Sequence, residues 1–417
     1  MNRFLLFASR VVTCDPARST ASNPLGVLID GGVLIENGVV RAVATRTELQ
    51  AIGAGCPVIA DGAGAVLTPG LVDAHTHAAW AGSRHDEYVL RMAGAGYEAI
   101  AAAGGGIASS MRAVREATEA SLAAALRRRL ARMSALGVTT CEVKSGYGLD
   151  LPNEVKQLRA IASAASDPNG VRVIPTYLAL HAVPPEAQAD RSAWVRDVAE
   201  ARVPSIAHEG LARYVDAYID RAAFSAEETR PVFARAAQAG LGIRVHAGQF
   251  ADVGGADLAA QVGAASVDHL ENVSQASLDA LAKAGTRAVL LPIASFTLRQ
   301  APPPIALMRQ AGVHIVVASD ANPGTAPTES LPLAMALALH TYGLTPSECL
   351  LGATREAAAS LGLSKLCGYL APGMSADLVL WALPHEHAIL QPWGTAVTRL
   401  VIARGNTLHA PPTDPTP

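Results

Sequence analysis

Short β-branched runs alternate with long amphipathic stretches through the middle of this 417-residue chain, which restricts it to folds made of parallel βα units. Candidate strands end at Ala74–His77, Thr140–Lys144, Thr176–Leu180, Ile243–His246, Ser266–His269, Val289–Pro292 and Ile315–Asp320. An eighth is expected near Glu209–Asp216, where the run from Val215 to Tyr218 is less marked. Helices are expected at Met111–Leu136, Ala226–Ala239, Leu258–Val262 and Glu329–His340. Eight such units close into a (β/α)8 TIM barrel of typically ~250 residues. The chain is long enough for that barrel and one accessory module.

Both ends are β-rich. Residues 1–66 carry apolar runs around Val11, Val27 and Val33, with Glu36-Asn-Gly-Val39 reading as a hairpin. Residues 368–409 return to the same pattern through Ala376–Trp381 and Thr398–Arg404. Neither piece is large enough for its own core, so the two are expected to pair into one small β-sandwich. The barrel then takes 67–367, and 410–417 reads as a flexible tail.

Half of the residues are apolar and 17% are charged, enough for a large core. The 33 basic and 36 acidic residues form no long run of one sign, which argues against nucleic acid or an anionic membrane as partner. No apolar run approaches the ~20 residues of a membrane span, and the apolar start at Phe4–Ala8 is too short for a signal peptide. Five scattered cysteines fit a reducing compartment, so a cytoplasmic location is expected.

Metal-competent side chains sit where strands stop. His75 and His77 follow the apolar run Gly70–Val72 and share one side of a strand, presenting two imidazoles to one divalent ion with positions left open. His246 ends Gly242–Val245, His269 ends Ala265–Asp268, and Asp320 ends His314–Ser319. A lone histidine is more often a packed or solvated residue. Four strands ending this way form a pattern, and a barrel brings those ends to one face. His85, His208, His314, His340, His385, His387 and His409 lack such placement and read as structural or exposed. Gly104–Gly106 is followed by no Gly-Lys-Ser/Thr and reads as a turn or a mobile lid, and Arg127–Arg129 as the solvated face of a helix.

The order His75-x-His77, His246, His269, Asp320, with a β-rich module drawn from both ends, resembles the amidohydrolase superfamily over essentially the whole chain. Within it, His75–Arg84, Gly104–Ile107, Gly137–Asp150, His181–Pro184 and Ser319–Thr325 resemble the imidazolonepropionase family of histidine degradation. The combination of Lys144-Ser-Gly-Tyr-Gly148 with Asp320-x-Asn322-Pro-Gly324 is the specific part.

The resemblance implies one zinc or ferric ion per chain, held by His75, His77, His246 and Asp320. It implies substrate contacts from Arg84, Tyr97, Tyr147, His181, Gln249, Asn322, Gly324 and Thr325, and a homodimer. The implied reaction opens the ring of 4-imidazolone-5-propanoate with water, giving N-formimidoyl-L-glutamate. Asp320 is then expected to take the proton of the water, and His269 to bond that water or the oxyanion. His181 is expected to polarise the carbonyl and Arg84 to hold the propanoate. Lys144 stands where a carbamylated, metal-bridging lysine would be suspected; the resemblance implies a mononuclear site, and Lys144 then reads as a structural residue or one supporting the ligands from behind. Some relatives have Glu where this chain has Gln249, and an amide cannot take a proton from water. The nearest competing reading is another cyclic amidohydrolase or a purine- or pyrimidine-type deaminase, which has less use for Arg84. A non-catalytic interaction protein on the same fold is disfavoured by the complete ligand set.

Overall fold

The computed structural model describes residues 3–96, 99–100, 103–221 and 223–410. Tyr97 and, of the expected tail, residues 411–417 lie outside them.

The chain enters through β1 (Arg3–Val12), β2 (Val27–Glu36), β3 (Val39–Thr45) and β4 (Val58–Pro69). β1 pairs antiparallel with β2 and parallel with β4. The β2–β3 hairpin turns at Asn37 and Gly38, both at positive φ (52° and 77°), the conformation that favours Asn-Gly in a two-residue turn. Gly70 then carries β4 directly into the barrel, whose strands are β5 (Leu71–Asp73), β6 (Val138–Lys144), β7 (Arg172–Leu180), β8 (Tyr214–Ile219), β9 (Gly242–Ala247), β10 (Ser266–His269), β11 (Arg287–Leu290) and β12 (Ile315–Val317). They run parallel in the order β5 to β12. The seam between β5 and β12 is joined at its C-terminal end by the Thr76–Ala321 bridge, with Asp320 N donating to His75 O at 3.1 Å and His77 N to Ala321 O at 3.0 Å. Helices cover the outside, so strands buried on both faces, such as β6, carry no exposed position.

The chain leaves through β13 (Leu378–Trp381), β14 (Thr398–Ala403) and β15 (Asn406–His409). β13 pairs antiparallel with β4, giving one seven-stranded sheet in the order β15-β14-β13-β4-β1-β2-β3, built from both ends of the chain. Phe4, Leu6 and Ala8 of β1 join one apolar cluster with Leu378 and Leu380, while Leu5 and Phe7 face the other way onto Leu49.

Three local expectations are corrected. Met111–Leu136 is two helices, Ile107–Glu116 and Glu119–Ala135, because Ala117 is extended and the Thr118 side chain caps the second by accepting from Ser121 N. The eighth strand lies at Tyr214–Ile219, with Asp216 inside it rather than at its end. Arg129 does not belong to a solvated face: its guanidinium sits 3.4 Å over the Trp80 ring and donates to Ala78 O and Trp80 O.

Candidate functional site

The C-terminal ends of the barrel strands bring His75, His77, His246, His269 and Asp320 together, all buried. The His75 and His246 ring centroids are 4.5 Å apart, and the Nε2 atoms of His77 and His246 approach to 3.3 Å. Asp320 Oδ1 lies 3.5 Å from His75 Nε2 and 3.6 Å from His77 Nε2. His75 Nε2 is buried with no hydrogen-bond partner. One ligand atom from each of His75, His77 and His246 lies within 4.8 Å of the others, the spacing of donors around one ion bound at about 2 Å. Burial pulls both His75 and His77 well below the usual imidazole range, and neighbouring positive groups add to it. Both are therefore neutral, with a lone pair for a metal.

The outer nitrogens of two of these rings meet carboxylates. His75 Nδ1 is 2.6 Å from Asp268 Oδ2, and His246 Nδ1 is 3.1 Å from Asp216 Oδ1. A carboxylate acceptor places the ring proton on Nδ1 and leaves Nε2 bare towards the site.

Asp320, His269 and Leu270 have φ of 56°, 84° and 64°, left-handed values that side chains rarely adopt. Such residues cost roughly 1–3 kcal/mol each and persist where the surroundings enforce them, as at catalytic sites. Burial pushes the Asp320 carboxyl up to about 7 against the opposing effect of His269 and the Asn322 hydrogen bond. Burial also works against the charged form of His269, but Glu271, 3.7 Å from its Nδ1, carries it above the usual imidazole value. His181 Nδ1 donates to Gly146 O at 2.7 Å, while burial lowers the ring to about 3. A neutral imidazole that donates through Nδ1 has an accepting Nε2.

A pocket opens above this cluster. Arg84, Tyr147, His181, Gln249, Asn322 and Thr325 line it, with His77, His246, His269 and Asp320 at its floor. Arg84 is buried and held by Glu87, with Nε and Nη2 at 2.9 and 2.8 Å from Oε2. Glu87 Oε1 accepts from Gly106 N at 2.9 Å, so one carboxylate ties the Gly104–Gly106 turn to Arg84. Gly324 faces the same guanidinium. Asn322 uses its amide on its own loop: Nδ2 donates to Asp320 O and Thr325 Oγ1, and Oδ1 accepts from Gly324 N and Thr325 N. It shapes the wall and presents no open donor. Gln249 accepts from the Tyr218 hydroxyl at 2.8 Å.

Sequence reasoning missed Asp216, Asp268, Glu271, Glu87 and Tyr218. Asp268 adjoins His269, and Glu87 lies one helical turn after Arg84; those spacings were the available signals.

The amidohydrolase family model matches residues 66–408. The imidazolonepropionase of Paracoccus denitrificans (strain Pd 1222) is 45% identical over 382 residues, which cover 91% of this chain and 94% of the relative. The chain belongs to the imidazolonepropionase family. The Ralstonia nicotianae imidazolonepropionase is 46% identical, over 86% of this chain and 88% of its own. Two solved structures share the fold at much lower identity. The zinc-complexed atrazine chlorohydrolase of Arthrobacter aurescens TC1 superposes with a TM-score of 0.69 at 16% identity, covering 98% of this chain and 95% of that one. The E. coli guanine deaminase gives 0.71 at 16%, covering 98% and 99%. At that identity they show the barrel and its flanking sheet alone. Among the described residues no helix is long and apolar enough to cross a membrane.

Proposed function

We propose that the chain opens the ring of 4-imidazolone-5-propanoate with water and releases N-formimidoyl-L-glutamate, with one metal ion held by His75, His77, His246 and Asp320. The observation that carries this reading is the buried, partnerless Nε2 of His75, among two further imidazoles and a carboxylate, beneath a pocket walled by Arg84. When bound, such an ion lowers the pKa of water towards ~7 and polarises a carbonyl.

The residues divide the remaining work. Arg84, oriented by Glu87, binds the propanoate. Asp320, at the floor of the pocket beside the ligand histidines, receives the proton lost from the attacking water. His269, with Glu271 3.7 Å from its Nδ1, donates to the oxyanion that forms as water adds to the ring carbonyl. The ring C–N bond then breaks, and the proton taken by Asp320 passes to the leaving nitrogen. His181 takes a different part from the carbonyl-polarising one expected from the sequence. Its Nδ1–H is committed to Gly146 O, so its Nε2 accepts from a ring N–H and orients the substrate. Tyr147 packs against it at 5.3 Å between ring centroids. In this reading Tyr97, Gly324 and Thr325 complete the substrate contacts.

The finer assignments rest on the family: zinc or ferric iron, one ion per chain, a homodimer and a cytoplasmic setting. A deaminase shares the metal ligands, but its ring substrate carries no propanoate for Arg84. The deciding experiment follows loss of ultraviolet absorbance of freshly made imidazolonepropanoate against a panel of cyclic ureas, purines and pyrimidines. Imidazolonepropanoate should exceed every other substrate in kcat/KM; preference for a purine or pyrimidine would replace this reading with the deaminase.

A further inference from the structure

Beneath the site lies a buried charge cluster that the reaction does not use. Lys144, at the end of β6, is wholly buried. Its Nζ is 2.8 Å from Glu142 Oε1 and 2.8 Å from Asp216 Oδ2, and 3.9 Å from Asp268 Oδ2. Arg244, also wholly buried, lies 3.6 Å from Asp268 Oδ2 and 4.0 Å from Glu142 Oε1, but its Nη1 and Nη2 donate to Ser360 O and Ala74 O. The ammonium is therefore the cation nearest the Glu142 and Asp216 carboxylates.

Two of the three carboxylates reach outward to rings of the site: Asp216 to His246 Nδ1, Asp268 to His75 Nδ1. Asp216, His246 and Asp268 have the spacing of a cation site in their own right, and Lys144 supplies a cation next to both acids. The ammonium, 2.8 Å from Asp216 Oδ2, fixes where that carboxylate lies and so where its other oxygen meets His246 Nδ1.

We propose that Lys144 is a positioning residue for the metal centre: acting through Asp216 and Asp268, one buried ammonium sets the tautomer and aim of two ligand imidazoles, His246 and His75. Burial alone would lower the Lys144 ammonium, and Asp216 and Glu142 outweigh it to keep it charged. Lys144 does not line the substrate pocket, and its short contacts are to the carboxylates of Glu142 and Asp216.

The inference rests on the metal centre proposed above, and the test separates the two. Metal content and affinity are measured on the full-length holoenzyme by elemental analysis and chelator competition, together with the visible spectrum of the cobalt-substituted protein. The variants are Lys144→Met and the charge-balanced pair Glu142→Gln/Lys144→Met, which removes one buried charge of each sign. The balanced pair should fold, bind metal ~10–100-fold more weakly and shift the cobalt spectrum, as loss of a group that orients ligands does. In an Asp216→Asn background, Lys144→Met should add much less than it does alone, because part of its route to the ligands is already cut. A balanced pair with wild-type metal affinity and spectrum would overturn the proposal, as would full additivity with Asp216→Asn. Failure of the balanced pair to fold would overturn it too, by making the ammonium a requirement of the fold instead of the metal. Wild-type protein that binds no metal would remove the metal centre itself.

Discussion

The Arg84 guanidinium fills the space that a side chain at residue 324 would occupy, so Gly324 is what allows Arg84 its place in the pocket wall. Gly324→Ala should fold normally, because the obstructing atoms are the far end of a flexible side chain. It should displace Arg84, however, and a charged hydrogen bond of about 1.5–3 kcal/mol corresponds to a loss of roughly 10–150-fold in kcat/KM, mostly through KM. Steady-state kinetics with imidazolonepropanoate check this. Arg84→Met should reproduce the loss, Arg84→Lys should restore only part, and Gly324→Ala should add little to Arg84→Met. If Gly324→Ala kept the wild-type KM, the carboxylate anchor would lie elsewhere.

Metal stoichiometry follows from the ligand set. Elemental analysis should find one metal per chain, lost or much weakened in His75→Ala and His246→Ala, while circular dichroism stays native because the apolar core is untouched. Two metals per wild-type chain would point to a bridging role for Lys144 and rule out a mononuclear site.

Proton transfer is assigned to Asp320. Asp320→Asn should lower kcat ~10²-fold or more in preparations shown to retain metal, the usual worth of a general base. Turnover near the wild-type rate in such a preparation would move the role to His269.

A stability prediction comes from outside the site. Burial would raise the Glu356 carboxyl, but hydrogen bonds from His314 and Arg355 prevail and lower it from 4.5 to about 2. A group depressed in the folded state stabilises above its unfolded value and loses that contribution as pH falls through its folded one. Wild-type stability should therefore drop as pH falls from 4.5 to about 2. Glu356→Gln should be less stable at pH 7, with the gap to wild type closing across that window. Urea unfolding at several pH values measures it; a gap independent of pH would show that Glu356 acts by packing alone.

The strand-end histidines and Asp320 could be read from the chain because each closes an apolar run, and a barrel gives such positions one common destination. The carboxylates behind them could not. Asp216 and Asp268 sit within strands, where the sequence does not say which charge will face which, and Lys144 finds its partners across three strands. The helix break at Ala117 escaped notice because the amphipathic pattern runs across it, although Thr118 was a capping residue in plain view. Asn322 was legible as a residue of the site, but its saturation by its own loop depends on backbone geometry that no motif states.

The flanking sheet has a bearing on how the protein is made. β4 lies between β1, available early in synthesis, and β13, which is translated only after the whole barrel. Until Leu378–Trp381 emerges from the ribosome, the Val66–Pro69 edge that it will cover has no strand beside it. An open strand edge is a template for pairing with other chains. The nascent protein thus carries an adhesive margin for most of its translation, and a message cut short before residue 378 would yield a polypeptide able to assemble barrel strands yet marked for aggregation or proteolysis.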